Sequence, residues 1–265
     1  MEHSHFYAQI DRYAYTNALA KCSPITKGFF AVSALLISVS SSSALLSATI
    51  FLITTIVTLY VAKIPFHFYF DMFTLPTIML MLSCLFIALF FGYGEKLAEI
   101  GMLGFTWVIF KNGVTLSITT FLRVESALSC LFFLVLTTSI TDIFITLRKI
   151  KVPKTIVELS LLIYRYIFVF LEVSAKMNTA QTLRLGNSGF INRIRAIALV
   201  AGNLFIRTLE QGERTFIAMN ARGYDGNLHV LEDLPKPTKI ALIGIALFDA
   251  AMLVLIILTI SIGVI

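Results

Sequence analysis

Charge is scarce in this chain. Of 265 residues only 14% are Asp, Glu, Lys or Arg, whereas 58% are hydrophobic and the mean hydropathy is +0.88. A soluble domain carries about 25% charged residues. A water-exposed globule is therefore excluded, and lipid is the natural solvent for so much apolar surface. Cysteine is equally sparse. Cys22, Cys84 and Cys130 lie far apart and form no Cys-x-x-Cys pair, which excludes a disulfide framework or a zinc cluster and leaves them as small apolar fillers. No Walker A loop is present: the nearest run, Gly92-Tyr93-Gly94-Glu95-Lys96, lacks the spacing and the Ser/Thr of a phosphate cradle. Neither Gly-x-Ser-x-Gly nor His-Glu-x-x-His occurs. The chain is expected to be no enzyme and to bind no cofactor itself. The stretch from Met1 to Ser23 carries Glu2, Asp11, Arg12 and Lys21, so a cleaved signal peptide is not expected there.

What is present is a set of long apolar runs. A membrane span needs about 20 such residues. Phe29 to Tyr60 is uncharged and interrupted by Ser38 and Ser40 to Ser43, which reads as two spans in a tight pair or one long tilted helix. Leu75 to Tyr93 reads as a third span, opened by Pro76 at an early helix position. Ser126 to Leu147 is another, with Asp142 near its cytoplasmic end, and Ile240 to Ile265 is the last. Between Gly94 and Glu125 the apolar runs Gly101–Phe110 and Gly113–Leu122 are too short to cross. Interfacial or re-entrant helices are expected there, or one extra span if Lys111 snorkels. The fold class is thus an all-α membrane protein with about five transmembrane helices, four to six in all. Three segments follow: transmembrane helices over 1–147, a helical arm over 148–239 and a final span over 240–265. Four spans before the arm place the N-terminus inside; one more would place it outside.

The arm holds most of the charge. From Arg148 to Arg222 there are twelve Lys or Arg and four acids, a balance of +8 in a chain of net +6. Positive charge stays on the cytoplasmic side of a membrane protein, so the arm is placed inside the cell and the chain in the plasma membrane. Nucleic acid is the other partner such charge attracts; basic cytoplasmic loops are the default for membrane proteins, and no nucleic-acid role is expected. Thr155 to Thr182 reads as a helix with Glu158, Arg165, Glu172 and Lys176 on one face. Gly186 to Gly189, with Asn187 between, breaks it. Phe190 to Met219 reads as a second helix, bent or interrupted near Gly202-Asn203, with Arg207, Glu210 and Arg214 spaced for pairing. Gly223 ends it.

Two arginines lie just before these breaks. One is in Met219-Asn220-Ala221-Arg222-Gly223-Tyr224, the other in Thr182-Leu183-Arg184-Leu185-Gly186. A guanidinium stays charged when dehydrated and offers five donors on a rigid fork. At a helix C-terminus it projects, and it also complements the helix dipole, which by itself would be a purely structural role. In this order and hydropathy the motifs resemble the transmembrane component of energy-coupling factor transporters, cobalt and nickel branch. Asp11-Arg12-Tyr13-Ala14-Tyr15, Ser23-Pro24 with Lys27, Thr137-Thr138, Asp142, Leu147-Arg148-Lys149, Val152-Pro153 and Tyr164 to Val169 carry the resemblance over most of the chain. Ala221-Arg222-Gly223 matches that family's short Ala-Arg-Gly motif in full. In the upstream copy Leu183 and Leu185 flank Arg184, and Gly186 comes one residue late.

The resemblance implies that Ala221, Arg222, Gly223, Arg184 and Gly186 dock two ATP-binding cassette ATPase subunits. It implies ATP use by those partners alone, and metal capture by a separate substrate-binding membrane subunit. Cobalt and nickel stay equal as cargo. Met1-Glu2-His3 could hold nickel or copper through the terminal amine, two amides and the imidazole, but histidines in a flexible terminus, His5 included, are commonly accidental. Asp249 falls in the middle of the last span, where a buried acid is a functional candidate by default or a group hydrogen-bonded or protonated within the bundle. Two other readings stay open: a self-sufficient metal permease, needing polar groups converging at the membrane midplane, and an ATP-independent anchoring protein, which would not copurify with ATPases.

Overall fold

The computed structural model describes residues 2–41, 43–92, 96–102, 105–186, 188–226, 235 and 237–261. Tyr93, Gly94, Glu95, Asn187, His229 and the end of the last expected span, 262–265, lie outside the described residues. The chain forms two units, one of residues 9–143 with 234–265, the other of residues 1–8 with 144–233.

The first unit is a bundle of apolar helices. Within it lie most of α1 (Glu2–Thr16), then α2 (Pro24–Ser40), α3 (Ala44–Ile56) with a π-helical turn (Val57–Val61), α4 (Phe66–Phe90), α5 (Lys111–Thr137) and α9 (Lys239–Ser261). Ala44–Val61, Phe66–Phe90 and Lys111–Thr137 are long and apolar enough to cross a membrane; α2 and the Ala241–Ile257 part of α9 are shorter apolar stretches. The class expected from sequence holds: an all-α membrane protein. The serine cluster separates a pair of helices, since Ser41 and Ser43 are both extended and the Ser43 N–H donates to Ser41 Oγ at 3.1 Å.

Three details differ from the sequence reading. Pro76 does not open α4, which starts at Phe66, so Pro76 lies inside it. Proline is tolerated within membrane helices, whose freed backbone groups find other partners, and its fixed φ is compatible with a helix. The segment expected as interfacial or re-entrant helices begins instead as an antiparallel hairpin, β1 (Lys96–Met102) against β2 (Phe105–Phe110), with Glu99 opposite Val108 and Ile100 opposite Trp107. Thr106 to Phe110 is a run of β-branched and aromatic residues, which suits a strand better than a helix. The hairpin is the departure from helix among the described residues.

The third difference is α5. It runs unbroken through Arg123 and Glu125, which the sequence reading left outside a span. Each finds a polar partner, Arg123 in the link between α2 and α3 and Glu125 in α4. Arg123 Nη2 donates to Ser41 O, and Thr77 Oγ1 donates to Glu125 Oε1 at 2.7 Å. The span then stops at Thr137, and Asp142 belongs to a separate helix, α6 (Ile140–Lys149). Ser139 Oγ caps α6 by accepting the Asp142 N–H at 3.1 Å.

The bundle is joined by hydroxyls as well as by apolar packing. Thr54 Oγ1 of α3 and Tyr69 OH of α4 meet Ser129 Oγ of α5 at 2.7 and 3.0 Å, and Ser38 meets Ser126. Such contacts suit lipid, where apolar burial alone does not drive helices together. Leu136, Phe132, Phe73 and Tyr69 form one apolar cluster, and Ala34, Leu46, Ile50, Cys130 and Met252 another. Lys27 is buried in α2; its ammonium donates to Thr137 O at 2.6 Å and to Leu19 O at 3.2 Å. It therefore satisfies a carbonyl left open at the end of α5.

Candidate functional site

The second unit is dominated by two long helices, α7 (Lys154–Leu183) and α8 (Phe190–Ala221). The expected bounds of α7, Thr155 to Thr182, are met within a residue at each end. α8 is uninterrupted at Gly202-Asn203; the Asn203 side-chain amide donates to Leu199 O at 2.9 Å, within its own helix. Two of the charge pairs read from spacing are present, whereas Arg207 forms no ion pair with Glu210. Glu172 and Lys176 lie 2.6 Å apart, and Glu210 and Arg214 lie 3.6 Å apart. The Lys176 ammonium holds the Glu172 carboxyl below the ordinary carboxylate range. The pair's contribution is present above that range and lost as pH falls through the lowered value, and full exposure keeps it small.

The two arginines occupy the same structural position. Arg222 caps α8, and Gly223 follows with φ +78°. The Tyr224 N–H donates to Met219 O at 3.1 Å and the Gly223 N–H to Asn220 O at 3.0 Å. This paired bonding is a Schellman motif. Arg184 caps α7, with Leu185 next at φ +59°. The Gly186 N–H donates to Gln181 O at 2.9 Å and the Leu185 N–H to Thr182 O at 3.1 Å. The upstream copy thus departs from the motif in sequence yet repeats its backbone. Its left-handed residue is a leucine, which costs about 1 kcal/mol or more. Its glycine comes one place later and is closely packed: a Cβ on Gly186 would lie 3.1 Å from Gln181 O and 2.9 Å from the flexible end of the Gln181 side chain. Gly223 has open space around it and is required for its φ alone. Both arginines are exposed.

Arg222 borders a cleft of about 580 Å³ between α7 and the last turns of α8. Arg165, Arg214 and Asp225 line it too. Leu162, Tyr166, Met219 and Tyr224 are shared with a neighbouring apolar groove of about 520 Å³. Tyr166 OH meets Thr215 Oγ1. The Thr215 hydroxyl proton is directed to Gln211 O at 2.7 Å, so the phenol is the donor. This bond ties α7 to α8 two turns before Arg222. Sequence reading had placed Arg165 on a polar stripe and Arg214 in an ion pair; that both border the Arg222 cleft follows from the α7–α8 crossing, which no local pattern encodes. Tyr166→Phe should cost about 1 kcal/mol, the net worth of one neutral hydrogen bond. Thermal melting of the purified chain in detergent checks this, and an unchanged melting curve would remove the bond from the account of how the pair is held.

Asp249 lies on α9, with Oδ1 buried and without a hydrogen-bond partner, beside Phe248 and Met252 of the second apolar cluster. No three His, Cys, Asp or Glu side chains gather as a metal site among the described residues. His3 and His5 fall within α1.

The features define a class: a multi-helix membrane protein with a distinct helical unit that carries an exposed arginine at the end of each long helix. Comparison with known proteins makes it particular. Residues 16–231 match the CbiQ family, described as cobalt transport protein, and the chain belongs to that family. An uncharacterized protein of Methanocaldococcus jannaschii is 36% identical over 250 residues, covering 94% of this chain and 93% of its own length. A putative fused cobalt transport protein CbiMQ of Methanocorpusculum labreanum is 32% identical over 242 residues, covering 91% of this chain but only 40% of the fused protein. An energy-coupling factor transporter transmembrane protein, EcfT, of Listeria innocua is 30% identical over 177 residues, covering 62% of this chain and 65% of its own. The chain is accordingly a transmembrane component of the energy-coupling factor type.

Proposed function

We propose that this chain is the non-catalytic scaffold of an ATP-driven importer for cobalt or nickel ions. In this reading two cytoplasmic ATPase subunits dock on the second unit, one at Arg184 with Gly186 and one at Ala221-Arg222-Gly223. ATP is consumed by those subunits only. A substrate-binding membrane subunit captures the metal, and movement of α7 and α8 on ATP binding and hydrolysis tilts or releases it. The single observation that carries the reading is the repeated helix end: two Schellman motifs, each with an exposed arginine at the cap. A helix-capping role alone needs no such repetition.

Three further facts support it. The Arg222 cleft is lined by three guanidinium groups, one of them paired with Glu210, against one carboxylate, Asp225, and that positive balance favours an acidic surface on whatever docks there. The basic balance of residues 148–222 favours a cytoplasmic location. The fused CbiMQ relative joins a region like this chain to a longer cobalt transport protein, which favours a second membrane subunit as neighbour.

Reconstitution separates the scaffold from a self-sufficient permease. The purified chain in liposomes is expected to show neither ATPase activity nor metal uptake. Uptake is expected only when the ATPase subunits and the substrate-binding subunit are added with ATP. Uptake of cobalt or nickel by the chain alone would establish the permease.

A further inference from the structure

Among the described residues three other than glycine hold a left-handed backbone, and two of them are lysines in the same setting. Lys63 has φ +58° and leads through Ile64 to Pro65, the N-cap of α4; Lys151 has φ +67° and leads through Val152 to Pro153, the N-cap of α7. The Ile64 N–H reaches back to Thr58 O at 3.5 Å, and the Val152 N–H to Leu147 O at 3.2 Å. Glycine would make either turn without strain. The turns themselves therefore do not explain the lysines, and backbone strain of this kind collects at functional contacts.

The first turn marks a membrane surface. Lys63 is exposed between Tyr60, 75% exposed, and Phe66, 65%, the aromatic and cationic mixture of a lipid–water boundary. It lies at the C-terminal end of α5: the Ala18 N–H donates to Ala62 O at 3.3 Å, and the adjacent Asn17 side-chain amide donates to Thr137 O at 3.3 Å. Only Thr138 and Ser139 separate α5 from α6. Ile140, Ile143, Phe144 and Leu147 recur along α6 at spacings of three and four, the stripe of an amphipathic helix, and none of its residues is buried. Just beyond its last turn Ile150 is 68% exposed, flanked by exposed Arg148, Lys149 and Lys151. None of these three cations has an ion-pair partner among the described residues. An amphipathic helix that buries nothing in the protein, with Lys and Arg beside an exposed apolar side chain, suits a bilayer surface.

We propose that Arg148, Lys149 and Lys151 hold the headgroups of anionic phospholipid in the leaflet at the C-terminal end of α5, with Ile150 and the α6 stripe entering the acyl boundary. Charge selects the lipid: an anionic headgroup attracts each cation, and a zwitterionic one does not. The contact anchors the lead into α7 on lipid. It needs no ATPase subunit and is independent of the docking proposed at Arg184 and Arg222.

The test uses the full chain in vesicles, in a Trp107→Phe/Ile150→Trp background, because Trp107 is the single tryptophan. Brominated acyl chains quench the new tryptophan on contact. The bromine is carried either by phosphatidylglycerol or by phosphatidylcholine, in mixtures otherwise identical. Phosphatidylglycerol should quench at about fivefold lower lipid fraction, the preference that one cation at an anionic surface gives, and raised salt should remove that preference. Arg148→Gln/Lys149→Gln/Lys151→Gly should abolish it. Should that variant melt lower, Lys151→Gly alone decides: glycine relieves the turn at φ +67°, so melting holds and the preference must still fall. Equal quenching by the two brominated lipids, or a preference unchanged in these variants, overturns the headgroup site. Quenching by neither lipid overturns it too; if purified ATPase subunit or substrate-binding subunit then shields the tryptophan from iodide, the surface belongs to that protein.

Discussion

Arg222→Ala should weaken capture of ATPase subunits about 30-fold or more. Removing one partner of a buried charge pair costs ~2–5 kcal/mol of association, because the acceptor is left dehydrated and unpaired, and that range begins near a 30-fold change in affinity. Arg222→Lys should also bind less well, since an ammonium cannot reproduce the planar fork. Gly223→Val should act by a different route. At φ +78° a β-branched side chain is strained wherever it points, so the cap opens and Arg222 is no longer held out from the helix. Gly186→Ala should have a much smaller effect at the other end, since Gln181 Oε1 can turn away and only Gln181 O must give by a few tenths of an ångström. All of these variants should insert in the membrane normally, because neither arginine lies in an apolar helix long enough to cross it. The measurement is binding of purified ATPase subunit to each variant in detergent at matched concentration. Wild-type affinity in Arg222→Ala would return that arginine to the role of a helix cap.

A second large effect is expected from Lys27→Met. Lys27 is 5% exposed and gives its ammonium to Thr137 O and Leu19 O. Methionine fills similar space but removes the charged donor, leaving Thr137 O only the longer bond from Asn17 Nδ2 at 3.3 Å and Leu19 O only the Cys22 N–H at 2.9 Å. Hydrogen bonds from a charged group contribute roughly 1.5–3 kcal/mol each, so a loss of about 3 kcal/mol is expected. A guanidinium is too bulky for the same buried niche, so Lys27→Arg should not restore the loss. Thermal melting in detergent reads the effect, and reactivity of an introduced cysteine at Thr138, itself buried, localises it. A variant with unchanged melting and a still-protected Cys at 138 would show that the α5 end is held by other contacts, Asn17 among them.

The bounds of α7 were legible because a proline precedes it, a Gly-rich break follows it and its polar positions repeat at spacing seven. The position of Arg222 was legible for a similar reason: glycine directly after an arginine at the end of a periodic run marks a helix cap. Arg184 was harder. Leucine is not a residue that announces a left-handed turn, and only the backbone shows that Leu185 takes the place Gly223 takes in the other copy. The start of α4 was misplaced because Pro76 is a good first-turn residue, and nothing nearby in sequence says that Phe66 to Leu75 is already helical. The extent of α5 was missed because Arg123 and Glu125 look like residues outside a span. Their partners, Ser41 and Thr77, are more than forty residues away in sequence, and tertiary pairing of that kind has no local signature. The hairpin at Lys96–Phe110 was missed because its apolar runs were weighed by length for crossing a membrane and not by their β-branched and aromatic content.

Copurification from native membranes in mild detergent tests the docking scaffold most directly, with wild-type chain and the Arg184→Ala/Arg222→Ala variant compared at matched expression. The wild-type chain should carry ATPase subunits at both helix ends and support metal uptake. The double variant should insert in the membrane, retain neither ATPase subunit and lose uptake. A double variant that keeps its ATPase subunits and takes up metal normally would contradict the docking role of both arginines.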